Sequence, residues 1–198
     1  MLKIGVITMA LLSFLNAGWF SLLFGSNPDP ISIPIDLSQA GSVVEKEVKI
    51  EETWSYHLIL QFAVRDRKED GGLDGKRVWK FLGFNSYDPR DGKQVGYVDY
   101  RLAKSELGDL IDETYDCDGT VVPIKITIHQ INQDNTKKLI VDNLYMTKGN
   151  GGGAYTRDIT TIFLDKGKYI FRIENIEAFS EMIGRKVDFT IYINKRDK

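Results

Sequence analysis

Apolar residues recur at every second position along several short segments of the chain, and this pattern restricts the fold more than any other. The clearest segment carries Tyr56, Leu58, Leu60, Phe62 and Val64. Such spacing is typical of a β-strand with one face in a core. The same alternation of apolar residues, over an equal or shorter length, recurs at 31–37, 44–50, 124–128, 139–145, 159–164, 169–173 and 187–193. Turns rather than regular helices separate these segments. The sequence therefore predicts an all-β fold, an antiparallel β-sandwich of about seven to nine strands.

The same alternation predicts which side chains form the core. The inward-facing set is Leu58, Leu60, Phe62, Ile126, Ile128, Phe171, Ile173, Phe189 and Ile191. Because Pro34 has no backbone N–H to donate, the strand at 31–37 is expected at a sheet edge. The turn at 165–167 is expected to join its neighbouring strands as a tight hairpin.

The strand pattern breaks between Val64 and Thr120, and the sequence predicts a helical insertion at 65–119. Apolar residues that recur three or four positions apart predict short helices. These are 76–82, burying Val78, Phe81 and Leu82; 104–111, burying Leu107, Leu110 and Ile111; and a turn through Ile176, Phe179, Met182 and Ile183 that ends at Gly184. The insertion belongs to a single domain at 27–198, because a chain of this length suits one core.

An apolar run without charge extends from Ile4 to Gly25 and follows Lys3. This pattern predicts that residues 1–26 are a signal sequence or an N-terminal membrane anchor. A run of about 20 residues is long enough to span a bilayer, whereas Asn16 and Gly18 weaken a spanning helix. The sequence leaves cleavage and anchoring open. In both cases the domain is expected on the far side of the membrane, and an uncleaved segment would touch the membrane only through residues 4–25.

Charge and cysteine content exclude several classes of protein. The 26 basic and 28 acidic residues give a net charge of −2, which offers no electrostatic attraction to nucleic acid. Cys117 is the single cysteine, so the chain has no internal disulfide and no cysteine-rich zinc site.

No catalytic motif stands out, and no catalytic residue is predicted. His57 and His129 are the only imidazoles, and both alternate with core-facing residues, so they are expected to face away from the core. A Gly-x-Ser-x-Gly elbow is absent. The sequence therefore favours a protein that is not an enzyme.

Aromatic and arginine side chains within the insertion form the predicted partner-binding site. The segment from Ser86 to Gly92 reads Ser-Tyr-Asp-Pro-Arg-Asp-Gly, a turn that displays Tyr87 and Arg90. Trp79 and Tyr97 lie close to it in sequence, and these residue types anchor interfaces. Two interpretations stay open: the aromatic side chains line a groove, or they form a satellite core.

Four glycines among the five residues 149–153 interrupt the second half of the chain. No Lys-Ser/Thr pair follows, so a phosphate-binding loop is not predicted. We expect a mobile loop whose flanking residues Tyr155 and Arg157 close over a partner, with Arg157 reaching a carboxylate. A plain flexible connector is the alternative.

Asp112, Asp116 and Asp118 crowd one acidic segment and are weak candidates for calcium ligands. The segment does not match the twelve-residue calcium loop, because Lys125-Ile126-Thr127 stands where its terminal Glu is expected. A solvated acidic loop without any cofactor is the favoured interpretation.

Several motifs resemble those of a known family. They are Pro34-Ile35-Asp36-Leu37, Tyr56-His57-Leu58-Ile59-Leu60-Gln61-Phe62, Ser86-Tyr87-Asp88-Pro89-Arg90, Pro123-Ile124-Lys125-Ile126, Tyr155-Thr156-Arg157-Asp158-Ile159 and Leu164-Asp165-Lys166-Gly167-Lys168-Tyr169. In their order the chain resembles an uncharacterised, domain-of-unknown-function family of exported proteins from Gram-negative bacteria. The resemblance implies a periplasmic, all-β accessory protein and supplies no catalytic residues. The long leader and Cys117 depart from the family pattern.

Export, a modest domain and the absence of a catalytic set favour a periplasmic protein that binds another protein. Small exported proteins of this kind often accompany secreted antibacterial toxins as inhibitors, so an immunity-type inhibitor is the first hypothesis. An envelope glycan-binding module is the second, and a cell-wall hydrolase that uses a carboxylate pair is the third.

Overall fold

The structure, a computed structural model, describes residues 29–151 and 155–193. The predicted signal sequence or anchor at 1–26 lies outside these ranges. Within them no helix has both the length and the apolar character needed to cross a membrane.

Ten strands form antiparallel sheets, and a few short helices accompany them. The first sheet orders β1 (Ile31–Ile35), β10 (Val187–Ile193), β3 (Trp54–Phe62) and β8 (Thr156–Leu164). The second sheet orders β2 (Val43–Ile50), β9 (Gly167–Asn175), β6 (Val122–Ile131) and β7 (Lys137–Thr147). A two-stranded ribbon pairs β4 (Ser86–Tyr87) with β5 (Gln94–Gly96). The predicted mostly β, antiparallel class is confirmed. The strand number exceeds the prediction because β4 and β5 lie inside the insertion.

Both large sheets contribute side chains to one hydrophobic core. All nine residues predicted to face inward are buried, and none is more than 3% exposed. The rings of Phe171 on β9 and Phe189 on β10 lie 6.4 Å apart between centroids, so the two sheets meet through these side chains. Period-two alternation therefore located the core correctly.

The connection from β8 to β9 differs from the prediction. The turn at 165–167 does not close a hairpin, because β8 pairs with β3 in the first sheet and β9 pairs with β2 and β6 in the second. The chain changes sheets at this turn, where the Tyr169 hydroxyl donates a hydrogen bond to the Asp165 carbonyl (2.8 Å). Pro34 does lie on an edge strand, as predicted, because β1 is the first strand of its sheet.

The helical insertion contains α1 (Arg67–Asp70), α2 (Leu73–Leu82), α3 (Tyr100–Leu107) and a 3-10 turn at Gly108–Leu110. Helix α2 buries Val78, Phe81 and Leu82, as predicted. Helix α3 begins earlier than predicted because the Asp99 carboxylate caps it, accepting a hydrogen bond from the Leu102 amide at 3.0 Å.

The third helical turn is shorter than predicted, a 3-10 turn at Ser180–Met182. Phe179 and Met182 are buried, but Ile183 is 73% exposed, so it does not join the core.

Truncation of a core aromatic side chain tests the sheet register. We expect Phe171→Ala to lower the free energy of unfolding by about 3–5 kcal/mol, because Phe171 is fully buried between the sheets. The matched control is Phe163→Ala, at a phenylalanine that is 65% exposed, for which a change within about 0.5 kcal/mol is expected. Urea denaturation followed by fluorescence measures both variants. Equal effects would contradict the register.

Candidate functional site

The ribbon, residues 86–96, lies over the outer face of the first sheet and encloses a groove of about 590 Å³. We call this space the ribbon groove. The sheet side of its lining comprises Trp54, Ser55, His57, Asp158 and Thr161, and the ribbon side comprises Ser86, Tyr87, Asp88, Pro89, Arg90 and Val95. Of the six predicted partner-binding residues, the structure brings Tyr87 and Arg90 together here.

Arg90 is held at the mouth of the groove by Asp88. Its guanidinium Nε and NH2 donate to the two carboxylate oxygens of Asp88 at 2.9 and 2.6 Å, and its amide donates to Oδ1 at 2.8 Å. These hydrogen bonds lower the pKa of Asp88 to about 2, so the carboxylate stays ionised at neutral pH. The Arg90 side chain is nevertheless 75% exposed. The predicted turn thus presents a pre-oriented guanidinium to solvent.

Tyr87 is fixed by a charged pair behind the ribbon. Lys148 Nζ lies 4.2 Å from the centroid of the Tyr87 ring and 3.3 Å from Asp118 Oδ2. Burial raises the pKa of Asp118, but hydrogen bonds from Tyr87, Asn85 and Lys148 outweigh it, and the net pKa lies below its usual range. Asp118 is therefore an ionised acceptor that holds the Tyr87 hydroxyl.

His57 lines the sheet side of the groove. Its ring stacks on Tyr192 with centroids 5.1 Å apart and an interplanar angle of 20°. Its Nδ1 lies 3.4 Å from Thr161 Oγ1. His57 therefore faces away from the core, as the strand pattern predicted. Sequence reasoning did not place Trp54, His57 or Asp158 in a site. The outward position of His57 on its strand was the one signal available.

The glycine run supports the base of the ribbon. The amides of Gly149, Asn150 and Gly151 donate to the carbonyls of Asp118, Asn85 and Thr156, each at 2.8 Å. Gly149 has φ +73°, and a Cβ there would lie 2.3 Å from the Asn85 carbonyl oxygen. The backbone amides of residues 149–151 are thus all hydrogen-bonded, and the predicted mobility of the loop stays a prediction. Residues 152–154 lie outside the described ranges.

Arg157 does not lie on the surface, so its predicted role as a partner-binding side chain is wrong. The residue is fully buried, and its guanidinium donates only to backbone carbonyls. These acceptors are Gly149 (3.0 Å), Phe81 (3.0 Å), Leu82 (2.9 Å), Thr147 (3.5 Å) and Thr120. Burial lowers the pKa of Arg157 to about 9, and the guanidinium remains protonated at neutral pH. Arg157 therefore joins the insertion to the sheets.

The other predicted residues divide between core and surface. Trp79 is half-buried, with Phe84 stacked on it at 5.6 Å and Tyr155 tilted against it at 5.6 Å. Trp79 and Phe84 pack against a second hydrophobic cluster formed by Ala103, Leu107 and Ile111. For these two residues the satellite-core interpretation holds. Tyr97, just beyond the ribbon, is 74% exposed.

The weak calcium candidates do not converge. Asp112 accepts hydrogen bonds from Thr114, Asp116 accepts one from the Asp118 amide, and Asp118 contacts Lys148. Among residues 29–151 and 155–193 no group of three or more His, Cys, Asp or Glu side chains is placed to hold a metal ion. Burial raises the pKa of the nearby Cys117 thiol, which keeps it protonated.

A larger groove of about 800 Å³ separates α2 from the turn at 180–185. An ion pair closes one side of it: Arg185 NH1 and NH2 donate to the two carboxylate oxygens of Asp74 at 3.0 and 2.5 Å. Both side chains are nearly buried, 13% exposed for Arg185 and 12% for Asp74. None of the six predicted partner-binding residues lines this groove.

Two antiparallel four-stranded sheets, a helical insertion and a ribbon groove define a mostly β protein. The chain belongs to the family described as a domain of unknown function, DUF5625, whose model matches residues 32–193. The predicted resemblance to an uncharacterised family with a domain of unknown function is confirmed. The chain is also similar to a protein from Sulfurospirillum deleyianum with a known crystal structure: the identity is 96%, the match covers 85% of this chain and 99% of that chain, and the TM-score is 0.84. No relative was found among curated proteins.

Removal of the Arg157 guanidinium tests its structural role. We expect Arg157→Met to lower the free energy of unfolding by about 3–5 kcal/mol, because buried carbonyls lose their donor and each such group costs about 1–3 kcal/mol. The control is Arg172→Met, at an arginine whose side chain is 39% exposed and pairs with Glu174, for which less than about 1 kcal/mol is expected. Urea denaturation compares the two. A small loss at Arg157 would contradict its role.

Acid sensitivity tests the Asp74–Arg185 pair. Hydrogen bonds from Arg185 lower the pKa of Asp74 from 3.8 to about 2. A carboxylate with a lowered folded-state pKa stabilises the fold above its unfolded pKa, and this stabilisation is lost as the pH falls through 2. We expect Asp74→Asn to remove about 2 kcal/mol at neutral pH and to flatten the pH dependence of unfolding between about pH 4 and 2. Asp188→Asn, whose partner Lys186 is 68% exposed, is the control and should change stability by less than about 1 kcal/mol. An unchanged acid profile in Asp74→Asn would contradict the assignment.

Proposed function

We propose that this protein is a non-enzymatic binding protein of the periplasm that recognises a protein partner through the ribbon and its groove. The observation that carries this proposal is the exposure of large side chains at one end of a β-sandwich scaffold: Val95 is 67% exposed and Tyr97 74%. They adjoin Arg90 and Tyr87, which the insertion holds in fixed positions. Tyrosine and arginine are the residue types that dominate binding energy at protein interfaces.

The rigidity of the ribbon base favours tight binding. Asn85 is 5% exposed, and its side-chain amide donates to Asp118 at 2.9 Å while its oxygen accepts from the Val98 amide at 2.6 Å. These contacts hold both ends of the ribbon. A pre-organised surface loses little conformational entropy when it binds, so more of the contact energy appears as affinity.

The charge of the second part of the insertion, residues 95–118, favours a basic partner. Residues 95–118 contain seven acidic and two basic residues, a net charge of −5, although the whole chain carries only −2. Like the exposed Tyr97, these residues follow the ribbon directly. Complementary potentials steer association and suppress wrong partners. The partner we propose therefore presents a cationic surface with a cleft or loop for the ribbon.

An inhibitor of a toxin that acts in the cell envelope is the most specific form of this proposal. The apolar leader supports export to the compartment where such a toxin acts. A rigid ribbon that enters an active-site cleft is a direct means of inhibition. The hydrolase alternative loses support at Asp88, because its pKa of about 2 leaves it ionised and unsuited to donate a proton.

An envelope glycan is the second candidate ligand. The ribbon groove combines the aromatic side chains of Trp54 and Tyr87 with the carboxylates of Asp88 and Asp158. Aromatic faces stack on sugar rings, and carboxylates accept hydrogen bonds from hydroxyl groups. A glycan in the groove would contact Trp54, whereas a protein partner on the ribbon would contact Tyr97. The dependence of binding on these two residues therefore distinguishes the two candidate ligands.

Binding to a secreted toxin encoded by a neighbouring gene tests the proposal. We expect Tyr87→Ala, Arg90→Ala and Tyr97→Ala each to weaken the affinity at least about tenfold, which corresponds to about 1.4 kcal/mol. Calorimetry measures the affinity, and survival of cells that express the toxin measures protection. The control is Ile183→Ala, at an exposed apolar residue of the larger groove, which should bind normally.

Two outcomes would overturn the proposed function. One is the absence of binding and of protection with every toxin encoded beside the gene. The other is glycan binding that is lost in Trp54→Ala and unchanged in Tyr97→Ala, which would establish the second candidate instead.

A further inference from the structure

Strand β7 forms a free edge of the second sheet. It is the last strand in the order β2-β9-β6-β7, and within the described ranges it pairs only with β6. Its outward positions carry apolar side chains: Leu139 is 54% exposed, Leu144 49% and Met146 59%. Exposed apolar residues along an unpaired strand are a template for a further strand.

The other three sheet edges carry features that oppose such pairing. Strand β1 is short and contains Pro34. Strand β2 carries four alternating charges, Glu45, Lys46, Glu47 and Lys49, within eight residues. The insertion covers the start of β8, where Arg157 donates hydrogen bonds to Phe81 and Leu82. Strand β7 begins with Lys137 and Lys138 and contains a bulge, but from Val141 to Thr147 it lacks these protections.

A regular segment of β7 is available for pairing. A bulge interrupts its register with β6 between Ile128 and His129, but the residues from Val141 to Thr147 pair with β6 without a break. The only charge among these seven residues belongs to Asp142, and Lys125 Nζ of β6 already lies 3.3 Å from its carboxylate. The segment from Val141 to Thr147 therefore presents no unpaired charge, and a partner strand would meet mainly its backbone and its apolar side chains.

We propose that β7 pairs antiparallel with β7 of a second copy of this chain, with Leu144 opposite the partner's Leu144. Leu144 is the midpoint of the regular segment, so this register pairs all of its residues. Val141 then lies opposite the partner's Thr147, and Asp142 opposite the partner's Met146. No like charges meet, whereas a register centred on Asp142 would oppose two carboxylates.

The composition of the edge favours a second copy over an unrelated protein. In the proposed register Leu144 meets the partner's Leu144 and each Asp142 lies opposite Met146 rather than a second carboxylate, so the strand pairs with itself about a two-fold axis without a charge conflict. On the outer face, Leu144 of each copy lies diagonally across from Met146 of the second copy, a spacing at which cross-strand side chains touch. The second sheets of the two copies join into one continuous eight-stranded sheet. The ribbon groove is lined by residues of β3, β8 and the ribbon and by none of β7.

Sedimentation of the full chain, purified as the cell produces it, tests the dimer. We expect a reversible dimer that dissociates on dilution, and a monomer at the same concentrations for Leu144→Lys, because the lysines of the two copies would lie directly opposite each other. Ile183→Lys is the matched control at an exposed apolar residue on another surface, and it should remain dimeric. Circular dichroism establishes that each variant is folded.

A disulfide tests the register. With Cys117 replaced by Ser, Leu144→Cys should form a disulfide-linked dimer under mild oxidation, because directly opposed residues lie about 4.5–5.5 Å apart between Cα atoms, within the range of a disulfide. Ile183→Cys in the same background should not. A monomer at all concentrations, a dimer that survives Leu144→Lys, or a dimer that Leu144→Cys fails to cross-link would each overturn the proposal.

Discussion

The buried guanidinium of Arg157 is the interaction on which the arrangement of insertion and sheets depends. It rises from β8 into a ring of carbonyl oxygens, and no carboxylate among the described residues is hydrogen-bonded to it. Two of these acceptors, Phe81 and Leu82, are the last residues of α2. The carbonyl end of a helix carries partial negative charge and stabilises a cation. The charge of Arg157 is therefore balanced by oriented peptide dipoles rather than by an ion pair.

From Arg157 a continuous set of contacts leads to the ribbon groove. Arg157 Nε donates to the Gly149 carbonyl, and the Gly149 amide donates to the Asp118 carbonyl. The Asp118 carboxylate in turn binds Lys148, whose ammonium group lies over the Tyr87 ring. Each step is a hydrogen bond, an ion pair or a cation–π contact between neighbouring groups. The position of Tyr87 in the groove therefore follows from an arginine that is itself out of contact with solvent.

The hydrophobic pattern of the sequence predicted the strands and the core because burial of one strand face leaves a direct period-two signal. This signal alone was enough to assign Phe171 and Phe189 to the core. The pattern carried no information about strand partners, and for this reason the turn at 165–167 was wrongly expected to close a hairpin. The sequence predicts Arg157 at the surface because it flanks the glycine run where the chain re-enters a strand. Only the three-dimensional convergence of carbonyl groups makes its burial favourable.

The site was predicted in part for a similar reason. Tyr87 and Arg90 follow from a local turn that its own Asp, Pro and Gly residues specify. Trp79 and Tyr155 have the same residue chemistry, but tertiary packing directs them against each other and away from a partner. The groove walls supplied by Trp54 and Asp158 come from two strands about 100 residues apart in sequence, and their proximity depends on the pairing of β3 with β8.

Asn85, Gly149 and Asn150 hold the two ends of the ribbon at its base. The turn between them, from Pro89 to Lys93, carries the exposed side chains of Arg90 and Lys93. Substitutions at the tip therefore leave the anchoring network and the core unchanged. The sequence of the tip can therefore vary at little cost in stability, in the way that a single antibody framework supports many hypervariable loops.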